Sequence, residues 1–148
     1  MQRRTFVLGA TAAIGMSSLG TAATHAADSA VADLKCPVSG KTVDAAKFSD
    51  YNGGKVYFCC DGCKAKFDKD STAFTAKANH QLVASGQFTQ KACPLTGGKV
   101  KAGTEVDIAG VKVGFCCPNC KGKAAKATGD DQVKLAFGDT FAKGFAKK

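Results

Sequence analysis

Sliding the 148-residue chain against itself by 57 positions lays Cys36 on Cys93, Cys59 on Cys116, Cys60 on Cys117 and Cys63 on Cys120 without a gap. Pro37/Pro94, Gly40/Gly97, Val43/Val100, Asp50/Asp107, Gly53/Gly110, Lys55/Lys112, Val56/Val113, Phe58/Phe115 and Lys64/Lys121 are identical in the same frame. Chance does not keep four cysteines and a turn glycine in register, so the chain contains a duplication. Each copy is of a size at which an apolar core rarely suffices alone. A metal, disulfides or a partner surface must help hold it.

Both copies read as the same small α+β unit, with expected boundaries 34–88 and 91–148. "CPVSGK" and "CPLTGG" are tight turns, in which Pro fixes φ and Gly supplies the left-handed position. Asn52-Gly53, between Tyr51 and the alternating Val56 and Phe58, is a strong hairpin signal; Ala109-Gly110 repeats it more weakly. A helix should then start near Asp61 in the first copy and at Pro118 in the second, each residue suiting a helix N-terminus. Phe74, Ala78 and Leu82 fall at helical spacing and predict a further helix ending near Gly86. Val133, Phe137, Phe141 and Phe145 recur every four residues, a stripe expected to pack on its own domain rather than lie on a membrane. Two tiny sheets, each with one apolar face, could bury those faces as a pseudo-twofold pair.

Within a copy the spacing is C-x22-CC-x2-C. The hairpin folds Cys36 back toward the strand end at Cys59, and Cys63 follows one helical turn on. Three or four thiolates converging at ~2.3 Å on one point is what Zn²⁺ or Cu(I) selects. The expected ligands are Cys36, Cys59 and Cys63 with Cys60, and Cys93, Cys116 and Cys120 with Cys117, for about one ion per repeat. Cys60 and Cys117 are equally readable as ligands or as small core thiols. Lys35, Lys64 and Lys66 flank the first set and Lys121 and Lys123 the second, where positive charge would favour thiolates. His80, alone between the copies, is expected at the surface.

The first 26 residues have the anatomy of an export signal: Arg3 and Arg4, a weak apolar run from Phe6 to about Leu19, and small residues at Thr24 and Ala26. "RRTFVL" is similar to the twin-arginine export motif, so a periplasmic location is expected. Removing residues 1–26 takes away two arginines and no acid, so the formal charge falls from +9 to +7. No transmembrane segment is expected in the mature chain, nor a nucleic-acid partner.

The arrangement resembles the YHS and TRASH families of small metal-binding domains. Cys36, Cys59, Cys63 and Lys64 match their pattern of one cysteine, a long gap, a Cys-x3-Cys pair and a basic residue; Cys93, Cys116, Cys120 and Lys121 match it again. "CPVSGK", "YNGGKVYFCCDGC" and "FDKDSTAF" look like the opening, hairpin and tail of a YHS domain, while Ala124 replaces Phe67 in the second copy. The resemblance implies a metal-binding or metal-sensing module without chemistry of its own, serving a metal-handling protein partner. Two other readings compete. Eight cysteines in an exported chain could form disulfides, although adjacent cysteines would each need a separate partner. The Cys-x-x-Cys pairs 60–63 and 117–120 could exchange disulfides, although so small a unit leaves no room for a thioredoxin-like frame.

Overall fold

Two positive-φ residues in succession close the first hairpin: Asn52 at φ 51° and Gly53 at φ 80°. They join β1 (Asp44–Tyr51) to β2 (Gly54–Phe58), which pair antiparallel with Tyr51 opposite Gly54. In the second copy Ala109 (φ 51°) and Gly110 (φ 85°) adopt the same turn. This is the computed structural model of the protein, and it describes residues 31–148. The expected signal segment, residues 1–26, lies outside the described residues. Each hairpin runs into a helix: α1 (Asp61–Lys69) after β2, and α3 (Pro118–Lys126) after the β4 (Val106–Ile108) and β5 (Val111–Val113) pair. Between the copies lie α2 (Thr75–Ala84), preceded by a 3₁₀ turn at Thr72–Phe74, and β3 (Phe88–Gln90). The chain closes with α4 (Gly129–Phe137), α5 (Phe141–Gly144) and β6 (Phe145–Lys147). The fold is α+β, built from small hairpins and short helices.

The copies are related by a pseudo-twofold axis. β3 and β6 occupy equivalent positions 57 residues apart in the sequence, and they pair with each other, Phe88 with Lys147, Thr89 with Ala146 and Gln90 with Phe145. Thr89 and Ala146 are themselves equivalent, so the axis passes through that pair. Reciprocal hydrogen bonds flank it: Lys91 N–H donates to Gly144 C=O at 2.7 Å, and its mate Lys148 N–H donates to Gln87 C=O at 3.1 Å. Equivalent helices α2 and α4 also meet across the axis, where the rings of His80 and Phe137 contact edge to face at 5.0 Å. His80 is therefore not the surface residue expected. It is half-buried, its Nε2 lies 3.2 Å from Ile108 C=O, and burial lowers its pKa against the opposing pull of that contact.

One continuous core runs through both copies, with Val56, Phe58, Phe67 and Leu82 from the first beside Val113, Phe115, Phe137 and Phe145 from the second. Alternation puts Val56 with Phe58 on the inner face of β2, and Val113 on that of β5 with Phe115 buried two residues beyond it. Phe67 fills the first copy, 5.2 Å from both the Tyr51 and Phe58 rings. In the second copy Ala124 is fully buried instead, and its carbonyl accepts from Gln132 Nε2 at 2.9 Å, so α3 packs through α4. The phenylalanine stripe is buried, as expected of core packing, but it is not one helix. The chain breaks at Gly138, and Phe145 lies on a strand. Phe141 and Phe145 still stack, at 5.1 Å and 14°. Among the described residues no helix is long and apolar enough to cross a membrane.

Candidate metal centres

The turn after Cys36 is closed by two backbone bonds, Gly40 N–H to Cys36 C=O at 2.8 Å and Cys36 N–H to Lys41 C=O at 2.7 Å. Gly40 at φ 71° makes the reversal. The second copy repeats it: Gly97 N–H to Cys93 C=O at 2.7 Å, Cys93 N–H to Gly98 C=O at 2.8 Å, and Gly97 at φ 74°. The hairpin then brings the end of β2 back over this turn, and the first turn of α1 adds Cys63. The result is a thiol triad, Cys36, Cys59 and Cys63, with all sulfurs within 4.8 Å of one another; Cys93, Cys116 and Cys120 form its counterpart. The Cys59–Cys63 sulfurs are 3.6 Å apart and the Cys116–Cys120 sulfurs 3.8 Å. Three thiolates at ~2.3 Å from one ion would stand about 3.8–4.0 Å apart, so little rearrangement is needed to receive it. All eight cysteines are unbonded.

Cys60 and Cys117 stand outside the triads. Each is the N-cap residue of its helix with extended backbone, at φ −161° and −157°. Cys60 is exposed and its sulfur lies 3.7 Å from that of Cys59; Cys117 is half-buried. By contrast Cys36 and Cys93 are 2% and 0% exposed. Adjacent cysteines thus divide, one into the triad and one at its outer rim.

Side chains that sequence reasoning missed complete the sites. Ser39 Oγ lies 3.1 Å from Cys59 Sγ, and its equivalent Thr96 Oγ1 lies 3.2 Å from Cys116 Sγ. The two glutamines Gln81 and Gln90 are the larger surprise. Gln81 Nε2 donates to Lys35 C=O (3.0 Å) and Tyr57 C=O (2.9 Å), while Tyr57 N–H donates to Gln81 Oε1 (2.6 Å). Gln90 Nε2 donates to Ala92 C=O (3.0 Å) and Gly114 C=O (2.6 Å), while Gly114 N–H donates to Gln90 Oε1 (2.8 Å). Lys35 is equivalent to Ala92 and Tyr57 to Gly114, so both amides clamp the same backbone groups. Each ties the turn holding the first cysteine to the strand leading to the second. They also satisfy backbone polar groups on the open edge of β2, at Tyr57, and just past the end of β5, at Gly114.

The thiols respond to these surroundings. Burial would push Cys36 up, but the Ser39 hydroxyl and the N–H groups of Cys59, Ser39 and Val38 together bring it down to about 7. Cys93 is likewise opposed by burial and brought to about 7 by Thr96 and the N–H groups of Cys116, Thr96 and Leu95. Cys63 and Cys120 are pushed up to about 12, by burial first and then by sharing protons with neighbouring thiols. At the rim, N–H groups at the helix starts hold Cys60 and Cys117 below the ordinary thiol value. Two of the flanking lysines expected to do this work are engaged elsewhere: Lys64 pairs with Asp68 at 2.7 Å, and Lys121 Nζ donates to Gly103 C=O at 3.0 Å.

Fold and site together define a small α+β protein with two partly buried cysteine clusters that could each hold a metal ion. No family model matches the chain, and no curated protein or solved structure matches it significantly.

Proposed function

We propose that this is an exported carrier of thiophilic metal ions, one ion of the Zn²⁺ or Cu(I) type in each copy, acting in storage, delivery or sensing rather than catalysis. The two units, 34–88 and 91–148, are read as tandem YHS- or TRASH-like modules serving a metal-handling partner. The observation that carries the proposal is the recurrence of the partly buried three-thiol cluster, with its hydroxyl and amide supports, in both copies. Soft and borderline ions favour such a donor set. The twin-arginine-like segment supports export to the periplasm, and the mature chain found there should lack residues 1–26 by mass spectrometry. A full-length chain recovered from the cytoplasm alone would refute export. Elemental analysis of the purified protein should find two metal ions per chain by the two-cluster reading. Cys63→Ser should remove one ion and leave the second cluster filled. Metal-free protein with all eight thiols oxidised would refute the function.

A further inference from the structure

Each triad buries its first cysteine, so an ion needs a route past the rim. Cys60 stands at the only other sulfur position in contact with the first cluster among the described residues, exposed and 3.7 Å from Cys59. Cys117 holds the equivalent place in the second copy, at the start of its helix. Each copy therefore has one three-thiol set with a further thiol at its rim. In the first copy the set is Cys36, Cys59 and Cys63, and Cys60 stands on its solvent side against Cys59. The Cys59–Cys63 edge of the set is 3.6 Å long. Cys36 and Cys60 do not belong to one compact four-thiol set. That separation disfavours the closed tetrahedral site that Zn²⁺ prefers and suits an ion content with three thiolates, Cu⁺.

We propose that Cu⁺ enters and leaves each buried triad by ligand exchange through Cys60 or Cys117, with a thiolate-bearing partner on the outside. This rests on the metal-holding function proposed above and adds its ion and its route. The partner's thiolate–Cu bond breaks as the Cys60 thiolate–Cu bond forms, with Cys59 bound alongside and its proton passing to the departing partner sulfur. Cys63 and Cys36 then bind as Cys60 leaves, one proton passing to the Cys60 sulfur and any other to solvent. Copper remains Cu⁺ throughout and no electron moves. At every stage the ion keeps at least two protein thiolates, so it is never released bare into solvent.

The test uses the reduced, Cu⁺-loaded mature protein under anaerobic conditions and follows transfer to a chromophoric Cu⁺ chelator. Cys60→Ser with Cys117→Ser should keep two ions per chain at equilibrium but slow transfer by about tenfold or more, a barrier increase of roughly 1.4 kcal/mol. The corresponding alanine variants should behave alike, since both positions lie at the rim. Cys36→Ser with Cys93→Ser should weaken retention while leaving transfer fast. Unchanged transfer in the rim variants overturns the route, and so does loss of their ions, which would make Cys60 and Cys117 static ligands. Wild-type protein that takes up no Cu⁺ but holds Zn²⁺ overturns the route and spares the carrier function. Protein that takes up neither ion overturns both.

Discussion

Replacing Gln81 by Ala should damage the first site without touching any cysteine. Gln81 is 2% exposed, and its amide accounts for three bonds, to Lys35 C=O, Tyr57 C=O and Tyr57 N–H. Truncation orphans all three backbone groups. A buried polar group left unpaired costs about 1–3 kcal/mol. The cleft of about 390 Å³ lined by Lys35, Gln81 and Ala84 lets water reach part of the gap, so the lower figure applies to each group. The expected loss is about 3 kcal/mol, read as a lower urea midpoint of the reduced, metal-free protein. Because the amide also ties the Cys36 turn to the strand end before Cys59, metal affinity in the first copy should fall about 10- to 100-fold. Comparison in Cys120→Ser and Cys63→Ser backgrounds, each retaining one site, separates the two copies. Gln81→Glu keeps the acceptor for Tyr57 N–H but points a carboxylate oxygen at two carbonyls, and should not rescue. An unchanged midpoint, or equal loss of affinity in both copies, would refute the clamp.

Ala109 holds a left-handed conformation that Asn52 holds in the other hairpin, so Ala109→Asn should stabilise the protein by about 1 kcal/mol in urea denaturation; no gain would show that the turn carries no strain. Phe145→Ala removes the stack on Phe141 and part of the β3–β6 seam, and should cost about 3–5 kcal/mol and weaken both metal sites, as calorimetry and metal titration would show. Weakening confined to the second site would argue against a shared core. For the reduced, metal-free protein, Cys36 and Cys93 at about 7 fall below the ordinary thiol value of 9.0, so the unfolded chain binds more protons between the two and stability should rise from pH 7 to 9. Cys63 and Cys120, pushed up to about 12, reverse the slope above pH 9. Urea midpoints across pH 6–11 that change monotonically would contradict this assignment.

The cysteine triads, the hairpin turns and the helix starts at Asp61 and Pro118 were readable in the sequence because each depends on residues close in the chain or repeated in register. What was hidden depends on reach across the fold. Gln81 and Gln90 bond to equivalent backbone groups, yet they are not equivalent in sequence: one sits on a helix and the other on a strand. A search for repeated residues passes over both. Ser39 and Thr96 are in register but not identical, and only a comparison of chemical type, a hydroxyl three residues after each first cysteine, would have found them. His80 misled because its place is set by Phe137, its own equivalent across the axis, which no local pattern announces. The phenylalanine stripe kept its burial and lost its helix. Its spacing records which residues face the core, while Gly138 and the pairing of β6 with β3 decide the backbone.

The pseudo-twofold pairing explains why the thiol cluster occurs twice. A single copy would expose the β3 or β6 edge and the apolar side of α2 or α4, and its own core is too small to offset the entropy of ordering the chain. The second copy supplies the missing surface: strand for strand at Thr89 and Ala146, and ring for ring at His80 and Phe137. Each cysteine cluster lies at the far end of its hairpin from the turn, held by backbone bonds and a glutamine amide that need no metal to form. Packing at the axis thus makes the scaffold that gathers the thiols, and the duplication is what lets two units of this size share one core.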